Sequence, residues 1–531
     1  MRQTGTNAKE YLELYRSSWS DLQSQSGPTR HYQQGNMVQT WMVTYQEIRK
    51  SDPTAANLLL LLAFHDNRDI WYELLRSGLD CSDPPSWFKM AVPNKLAFKT
   101  KVKALVGFSL VETKQQGGSY ALHPVVQDWC HHVADCNNLT SQLHELALMS
   151  VGYMVPHNSE REYAEIQQRL LPHANYLISR ERDHWQNDTI DVSNAFHGIG
   201  ILYSDQGKMK EAEEMYQRAL AGYEKALGPD HTSTLRTVNN LGILYTDQGK
   251  LQEAEEMYQR ALAGKEKALG PDHTSTLDTV NNLGLLYAHQ GKLKEAEEMY
   301  QRALAGYEKA LGPDHTFTLD TVNNLGLLYA DQGKLKEAEE MYQRALAGYE
   351  KALGPNHSST LRTVNNLGIL YTDQGKLQEA EEMYQRALAG YEKALGPGHT
   401  STLTTVNNLG NLYSNQGKLK EAEEIYQRAL AGYEKTLGPD HSSTLRTVNN
   451  LGNLYKAHGK LKEAEEIPDH SETRTAANNL LPLTILHANQ NTPRRTATVT
   501  PAAPDLLLNT LGGDSTKRRR KRDVLYSFLR R

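Results

Sequence analysis

A Gly-Lys pair returns at Gly207, Gly249, Gly291, Gly333, Gly375, Gly417 and Gly459, each time 42 residues further on. A histidine keeps the same phase at His231, His273, His315, His357, His399 and His441. A strict period of this size restricts the fold more than any other feature of the chain. One such unit is too small to bury its own apolar face, so neighbouring units must stack into a solenoid.

Each unit reads as two helices, and the fold class is therefore all-α. Ser233 or Thr234 is positioned to cap the first helix. Its apolar stripe, Val238, Leu241, Gly242 and Tyr245, keeps to one face at 100° per residue. Gly249 suits the left-handed residue that ends a helix. The second helix starts near Leu251 and buries Ala254, Tyr258, Ala261 and Leu262, with Glu256 and Arg260 as an i,i+4 pair on its wet side. Gly270 and Pro271 stop it. Gly264, inside that helix, costs about 1 kcal/mol against alanine, and its recurrence in every full unit predicts a close helix approach.

The run Val238-x2-Leu241-Gly242-x2-Tyr245, followed by Ala254-x3-Tyr258 and Ala261, resembles the tetratricopeptide repeat. The 42-residue unit, with NNLG, GK, EAE, RAL and LGPDH, is similar to the repeats of kinesin light chains. That resemblance implies an α-solenoid whose first helices line a concave groove, with a protein or extended peptide as partner and no cofactor. It covers residues 191–467, read as six full units and a truncated seventh.

The units form an internal alignment. Four columns of the first helix, with a constant asparagine, share a face roughly opposite Leu241 and Tyr245. The asparagines are Asn239, Asn281, Asn323, Asn365, Asn407 and Asn449. One variable column holds Arg236, Asp278, Asp320, Arg362, Thr404 and Arg446; another holds Ile243, Leu285, Leu327, Ile369, Asn411 and Asn453. The last two begin at Thr246-Asp247 and include His289, Asp331 and Asp373. Two readings compete. Exposed columns drift, or these columns choose a ligand that the asparagines hold by its backbone. The equally wet second-helix face barely changes, which favours the groove. A histidine alone in each turn makes a poor metal site, and Gly249-Lys250 joins helices without the P-loop pattern.

Residues 37–136 predict three or four helices, then a hairpin from SLVETK and SYALH, then a helix from Pro124. This is a mostly helical, winged-helix-like order. Residues 1–36 read as a remnant or linker and 137–190 as a helical linker. The segments ALHPVVQDW and DIWYELL resemble the part of fungal NLR-like (STAND) receptors that follows their NB-ARC nucleotide-binding domain. That resemblance implies a nucleotide-sensing role for His123 and a nucleotide-binding domain as partner in trans. The sequence itself lacks a P-loop, and His123 also fits a turn.

Residues 468–490 read as a degenerate repeat helix, and 491–531 as a disordered tail with the basic cluster Lys517–Arg522. Net charge is −5. Residues 37–135 balance ten basic against ten acidic side chains, which argues against nucleic acid. The ten-residue run from Ala55 to Phe64 is too short for a bilayer. The sequence thus predicts a non-enzymatic, cytoplasmic interaction scaffold of a truncated NLR-like kind. A kinesin-light-chain-like cargo adaptor and a nuclear winged-helix regulator, built on the basic tail and Lys95, Lys99 and Lys103, stand as alternatives.

Overall fold

The computed structural model describes residues 37–114, 118–156, 163–180 and 189–457. The expectations for 1–36, for the truncated seventh unit and for 468–531 lie outside these residues. The chain divides into two compact units, residues 1–226 and 227–531.

In the first unit, α1 (Met37–Ser51), α2 (Pro53–Ala63), α3 (Tyr72–Ser77), α4 (Ser86–Ala91) and α5 (Lys95–Gly107) precede a hairpin of β1 (Glu112–Thr113) and β2 (Tyr120–Ala121). Helix α2 is the centre. Asp52 caps it by accepting from the amides of Thr54 and Ala55, with Pro53 in its first turn, and its residues from Leu58 to Ala63 are fully buried. The run that is too short for a membrane is thus the buried core helix of this unit. The helix expected from Asp69 starts later, because Ile70 instead bridges Tyr120 beside the hairpin.

Helices α6 (Pro124–Cys136), α7 (Thr140–Met154), α8 (Tyr163–Arg180), α9 (Ile190–Asp205) and α10 (Met209–Leu227) follow. His123 caps α6, its Nδ1 accepting from the Val125 amide at 3.3 Å, which is the turn role. A Cβ on Gly152 would sit 2.4 Å from the Ala195 Cα, so α7 lies backbone to backbone against α9. Of the three lysines offered for DNA, Lys95 is tied to Glu73 at 2.7 Å.

In the second unit, five helix pairs succeed one another: α11 (Thr232–Asp247) and α12 (Leu251–Leu269), α13 (Thr274–Gln290) and α14 (Leu293–Leu311), α15 (Thr316–Asp331) and α16 (Leu335–Leu353), α17 (Ser358–Asp373) and α18 (Leu377–Leu395), α19 (Thr400–Asn415) and α20 (Leu419–Leu437). Helix α21 (Ser442–Ala457) comes last among the described residues. Odd-numbered members are the first helices of their units.

The first helices are not capped by Ser233 or Thr234. His231 is the cap, its Nδ1 accepting from the Ser233 amide at 3.2 Å, and His273, His315, His357, His399 and His441 do the same. Thr234 is buried and donates back to the Gly228 carbonyl at 2.8 Å. The repeating histidines are therefore local backbone acceptors, held as the tautomer with the proton on Nε2. Gly249 ends α11 with φ +76°. Gly264 meets the first helix so closely that a Cβ would come within 2.5 Å of the Leu235 side chain.

Successive units are joined by core and by polar ladders. Tyr258 packs with Leu283 and Leu286 of the next first helix. Glu255 accepts from Gln290 at 2.8 Å and Lys292 at 3.2 Å, and Glu297, Glu339 and Glu381 repeat the arrangement. Burial alone would raise the Glu255 carboxyl, but these donors hold it below its ordinary value. Arg302 reaches back to Glu266 at 2.5 Å rather than to its own helix, and Arg344, Arg386 and Arg428 likewise bond Glu308, Glu350 and Glu392. The i,i+4 pairing expected for this column is seen in α10, where Arg218 bonds Glu214 at 2.8 Å. Part of the constant second-helix face is thus engaged with the next unit, so its constancy is no yardstick for drift.

Candidate functional site

The constant asparagines do not line a groove. Asn239 is 7% exposed and Asn323, Asn365 and Asn407 at most 2%. Their side-chain oxygens are turned to the following unit. Asn239 accepts from the Thr279 hydroxyl at 2.9 Å, Asn281 from Thr321 at 3.2 Å, Asn323 from Thr363 at 3.1 Å and Asn407 from Thr447 at 3.2 Å. Asn365 accepts from Asn408 at 3.3 Å. Asn449, in the last described helix, is half-buried. A backbone clamp needs a free amide edge, and here the acceptor edge is spent on stacking units.

The charged column headed by Arg236 is mostly half-buried. Arg236 itself is exposed. Asp278 receives the Tyr307 hydroxyl, and burial raises its carboxyl above the ordinary value. Asp320 accepts from Tyr349 at 2.5 Å and pairs with Arg362 at 2.7 Å, where the Arg362 side chain is 14% exposed. Thr404 shares a hydrogen bond with Tyr433 at 2.8 Å, and Arg446 is half-buried. The sign changes that looked like ligand choice are in part neighbours answering one another: Asp320 and Arg362 are the same position in successive units.

The column of Ile243 is core at its centre. Leu285 and Leu327 are buried, and Ile243 and Ile369 pack half-buried against inter-unit clusters. Asn411 accepts from Tyr426 at 2.6 Å and from Asn450 at 3.2 Å. Asn453 is exposed.

The last column remains at the surface. Asp247 and Asp373 are exposed, His289 and Asp331 half-buried. Here a small cleft of about 60 Å³ opens between α15 and α17. Leu327, Ala330 and Asp331 form one wall, Asn366, Ile369, Leu370 and Asp373 the other, and Tyr342 of α16 closes the base. Burial, and then the Asp331 and Asp373 carboxylates, push the Tyr342 phenol well above its ordinary value. Leu327, Tyr342 and Leu370 are at most 2% exposed, so the apolar surface that the cleft offers is that of Ala330 and Ile369. Of the predicted residues, the structure brings Asp331 and Asp373 together here. Tyr342 went unread, since it sits in an invariant column that signals only core.

A second missed feature is Lys265. Every other full unit has tyrosine at this place. Lys265 is 3% exposed, and its Nζ donates to the Ser275 carbonyl at 3.0 Å and the Thr279 hydroxyl at 2.9 Å. Burial pulls the ammonium down to about 8, with Asp278 opposing and Arg236 assisting.

Among the described residues no helix is long and apolar enough to cross a membrane. The family model for the tetratricopeptide repeat matches residues 191–267, 245–309, 275–351, 317–393, 358–435 and 400–471, together more than half the chain. An NLR-like protein of Hyaloscypha variabilis is 31% identical over 249 residues, 45% of this chain; the chain spans 23% of that relative's length. Kinesin light chain nearly identical TPR-like repeats from Podosopora anserina are 30% identical over 39% of this chain and 97% of theirs, with a TM-score of 0.35. A STAND protein with a tetratricopeptide-repeat sensor from Pyrococcus horikoshii aligns over 92% of this chain and 72% of its own, at 14% identity and a TM-score of 0.45.

Proposed function

Since the chain belongs to the tetratricopeptide-repeat family, we propose that it is a non-enzymatic interaction scaffold that holds an extended peptide or protein segment against the exposed face of its first helices. The observation that carries this reading is the cleft between α15 and α17, with Ile369 in its wall and Asp331 and Asp373 beside it. Such an arrangement favours a segment carrying lysine or arginine, whose stem covers Ala330 and Ile369 while its head meets a carboxylate. The setting we favour is the recognition part of an NLR-like receptor, supported by the 31% identical relative, with a nucleotide-binding domain as partner in cis or in trans. The cargo-adaptor alternative draws on the likeness of the repeats alone.

The test is a library of extended peptides screened against the full chain. Selected peptides should be cationic. They should lose about tenfold or more in affinity when Ile369→Gln and Asp373→Asn are combined, an effect of the size expected for a central contact. They should keep their affinity in Glu340→Gln with Glu382→Gln, which removes charge from the outer face of the second helices. Selection of peptides indifferent to the first pair would sink the assignment of the face.

A further inference from the structure

Another ladder runs along the turn edge of the array, between the last turn of each second helix and the loop that opens the same helix pair. Lys267 pairs with Asp230 at 2.7 Å, Lys309 with Asp272 at 2.7 Å and Lys351 with Asp314 at 2.5 Å. The ladder then breaks. The next two acid positions hold Asn356 and Gly398, while the lysines persist as Lys393 and Lys435. Both lysines are exposed, and among the described residues neither has a hydrogen bond or an ion pair. The loop before α19 still lies against the end of α20, since a Cβ on Gly398 would be 3.8 Å from the Thr436 methyl. Only the carboxylate is missing. Leu395, which ends α18 just before that loop, is 39% exposed, whereas Leu311, Leu353 and Leu437 of the same column are half-buried against core clusters. Asp440 resumes the acidic column, so the gap is two rungs long.

We propose that this gap is a docking edge for an acidic segment of a partner protein, whose carboxylates take the two vacant rungs at Lys393 and Lys435 while an apolar side chain between them covers Leu395. At the intact rungs the chain's own aspartate occupies the ammonium, so an incoming acid would have to displace it. In the gap the same place is open, and the carboxylate comes from outside. A single exposed ion pair is weak. Two rungs and a covered leucine act together, and the like charge of the two lysines speeds encounter with an acidic segment and turns away a basic one. None of these residues lines the cleft between α15 and α17, so the edge and the first-helix face are separate surfaces with opposite preferences.

The probe is a fluorescent peptide in which a leucine is flanked on each side by a pair of aspartates, added to the full-length protein. Its counterpart carries asparagines instead. Rebuilding the rungs with Asn356→Asp and Gly398→Asp leaves both lysines in place. Gly398 is not left-handed and a Cβ there meets only ordinary contact, so the change is sterically permitted, and thermal melts confirm that each variant is folded. The rebuilt protein should bind the aspartate peptide about fivefold more weakly than the wild type, as should Lys393→Gln with Lys435→Gln. Lys309→Gln with Lys351→Gln, an equal loss of charge at intact rungs, should change binding less than about twofold. Equal weakening by this control pair would mean that net charge alone attracts the peptide, and the edge falls. Binding that survives rebuilding of the rungs, equal binding of the asparagine peptide, or no binding of the aspartate peptide by the wild type overturns the proposal as well.

Discussion

Lys265 is the clearest place to test whether the array is understood energetically. A buried ammonium whose pKa falls from 10.5 to about 8 costs about 3 kcal/mol relative to the same group in the unfolded chain, at about 1.4 kcal/mol per unit. The side chain is 3% exposed, so solvent screening removes little of that. Below pH 8 both states hold the proton and the full cost is present. Between about pH 8 and 10.5 the folded state releases its proton while the unfolded state keeps it, so stability rises with pH. Lys265→Tyr restores the residue found in the other full units. Tyr391 shows that this tyrosine is accommodated beside an arginine in the first helix, since it is 2% exposed and interacts with Arg362. The variant should gain about 1–3 kcal/mol at pH 7 in denaturant unfolding and lose the rise between pH 8 and 10. Lys265→Met separates charge from fit: it should also lose the rise, with a smaller gain in stability. A variant no more stable than wild type, or one whose pH dependence is unchanged, would refute the argument that burial of this ammonium dominates the junction.

Further expectations can be measured in the same way. His315→Ala should cost about 1 kcal/mol through loss of the cap and His315→Asp should largely restore it; equal unfolding midpoints for all three proteins would remove the capping role. Gly306→Ala brings a Cβ within 2.6 Å of both Leu277 methyls, so crowding of about 1–3 kcal/mol should outweigh the better helix propensity in chemical unfolding. Asp320→Ala takes its carboxylate away from the Arg362 guanidinium and should destabilise by about 1 kcal/mol, while Arg362→Met in the same chain should recover part of it; additive losses would mean that the pair is not coupled. In the first unit, burial lowers His65 and His131 to about 3 and His173 to about 4. All three are neutral in both states above pH 6.5, and from there toward pH 4 only the unfolded chain gains protons. That unit should therefore lose stability over this window, seen as falling hydrogen-exchange protection in α2, α6 and α8.

Which apolar residues are buried could be read from periodicity: Val238, Leu241, Ala254, Tyr258 and Ala261 are buried, and Tyr245 and Leu262 half-buried. Which polar residues face the next unit could not. A helical wheel ranks positions around one axis and contains no information about the second neighbour, so Asn239 looked wet while it was accepting from Thr279. The opposed charges of Asp320 and Arg362 were visible as a sign change at one column in adjacent units. Reading that change as an internal pair required knowing that position 320 of one unit lies against position 362 of the next. The histidine caps were missed for a different reason. Serine and threonine are the common caps, and both stood within three residues of a side chain that could do the same work. The acids of the cleft lie at the end of the first helix, where Asp247 and Asp373 are exposed and Asp331 half-buried.

The ladders also determine how such a chain can change its length. Where an interface is made by Glu297 with Gln332 and Lys334, or by Arg302 with Glu266, each unit offers its successor the same groups that it takes from its predecessor. A duplicated or deleted block of 42 residues would then regenerate an interface of the same kind at the new seam. The column headed by Arg236 does not share that indifference. Arg362 behind Asp320 is a matched seam, whereas Arg362 directly behind the unit of Arg236 and Lys265 would bring three cations to one junction. Recombination among near-identical copies is therefore permitted by most of the surface and vetoed at particular joints, so that the order of the units is itself inherited information.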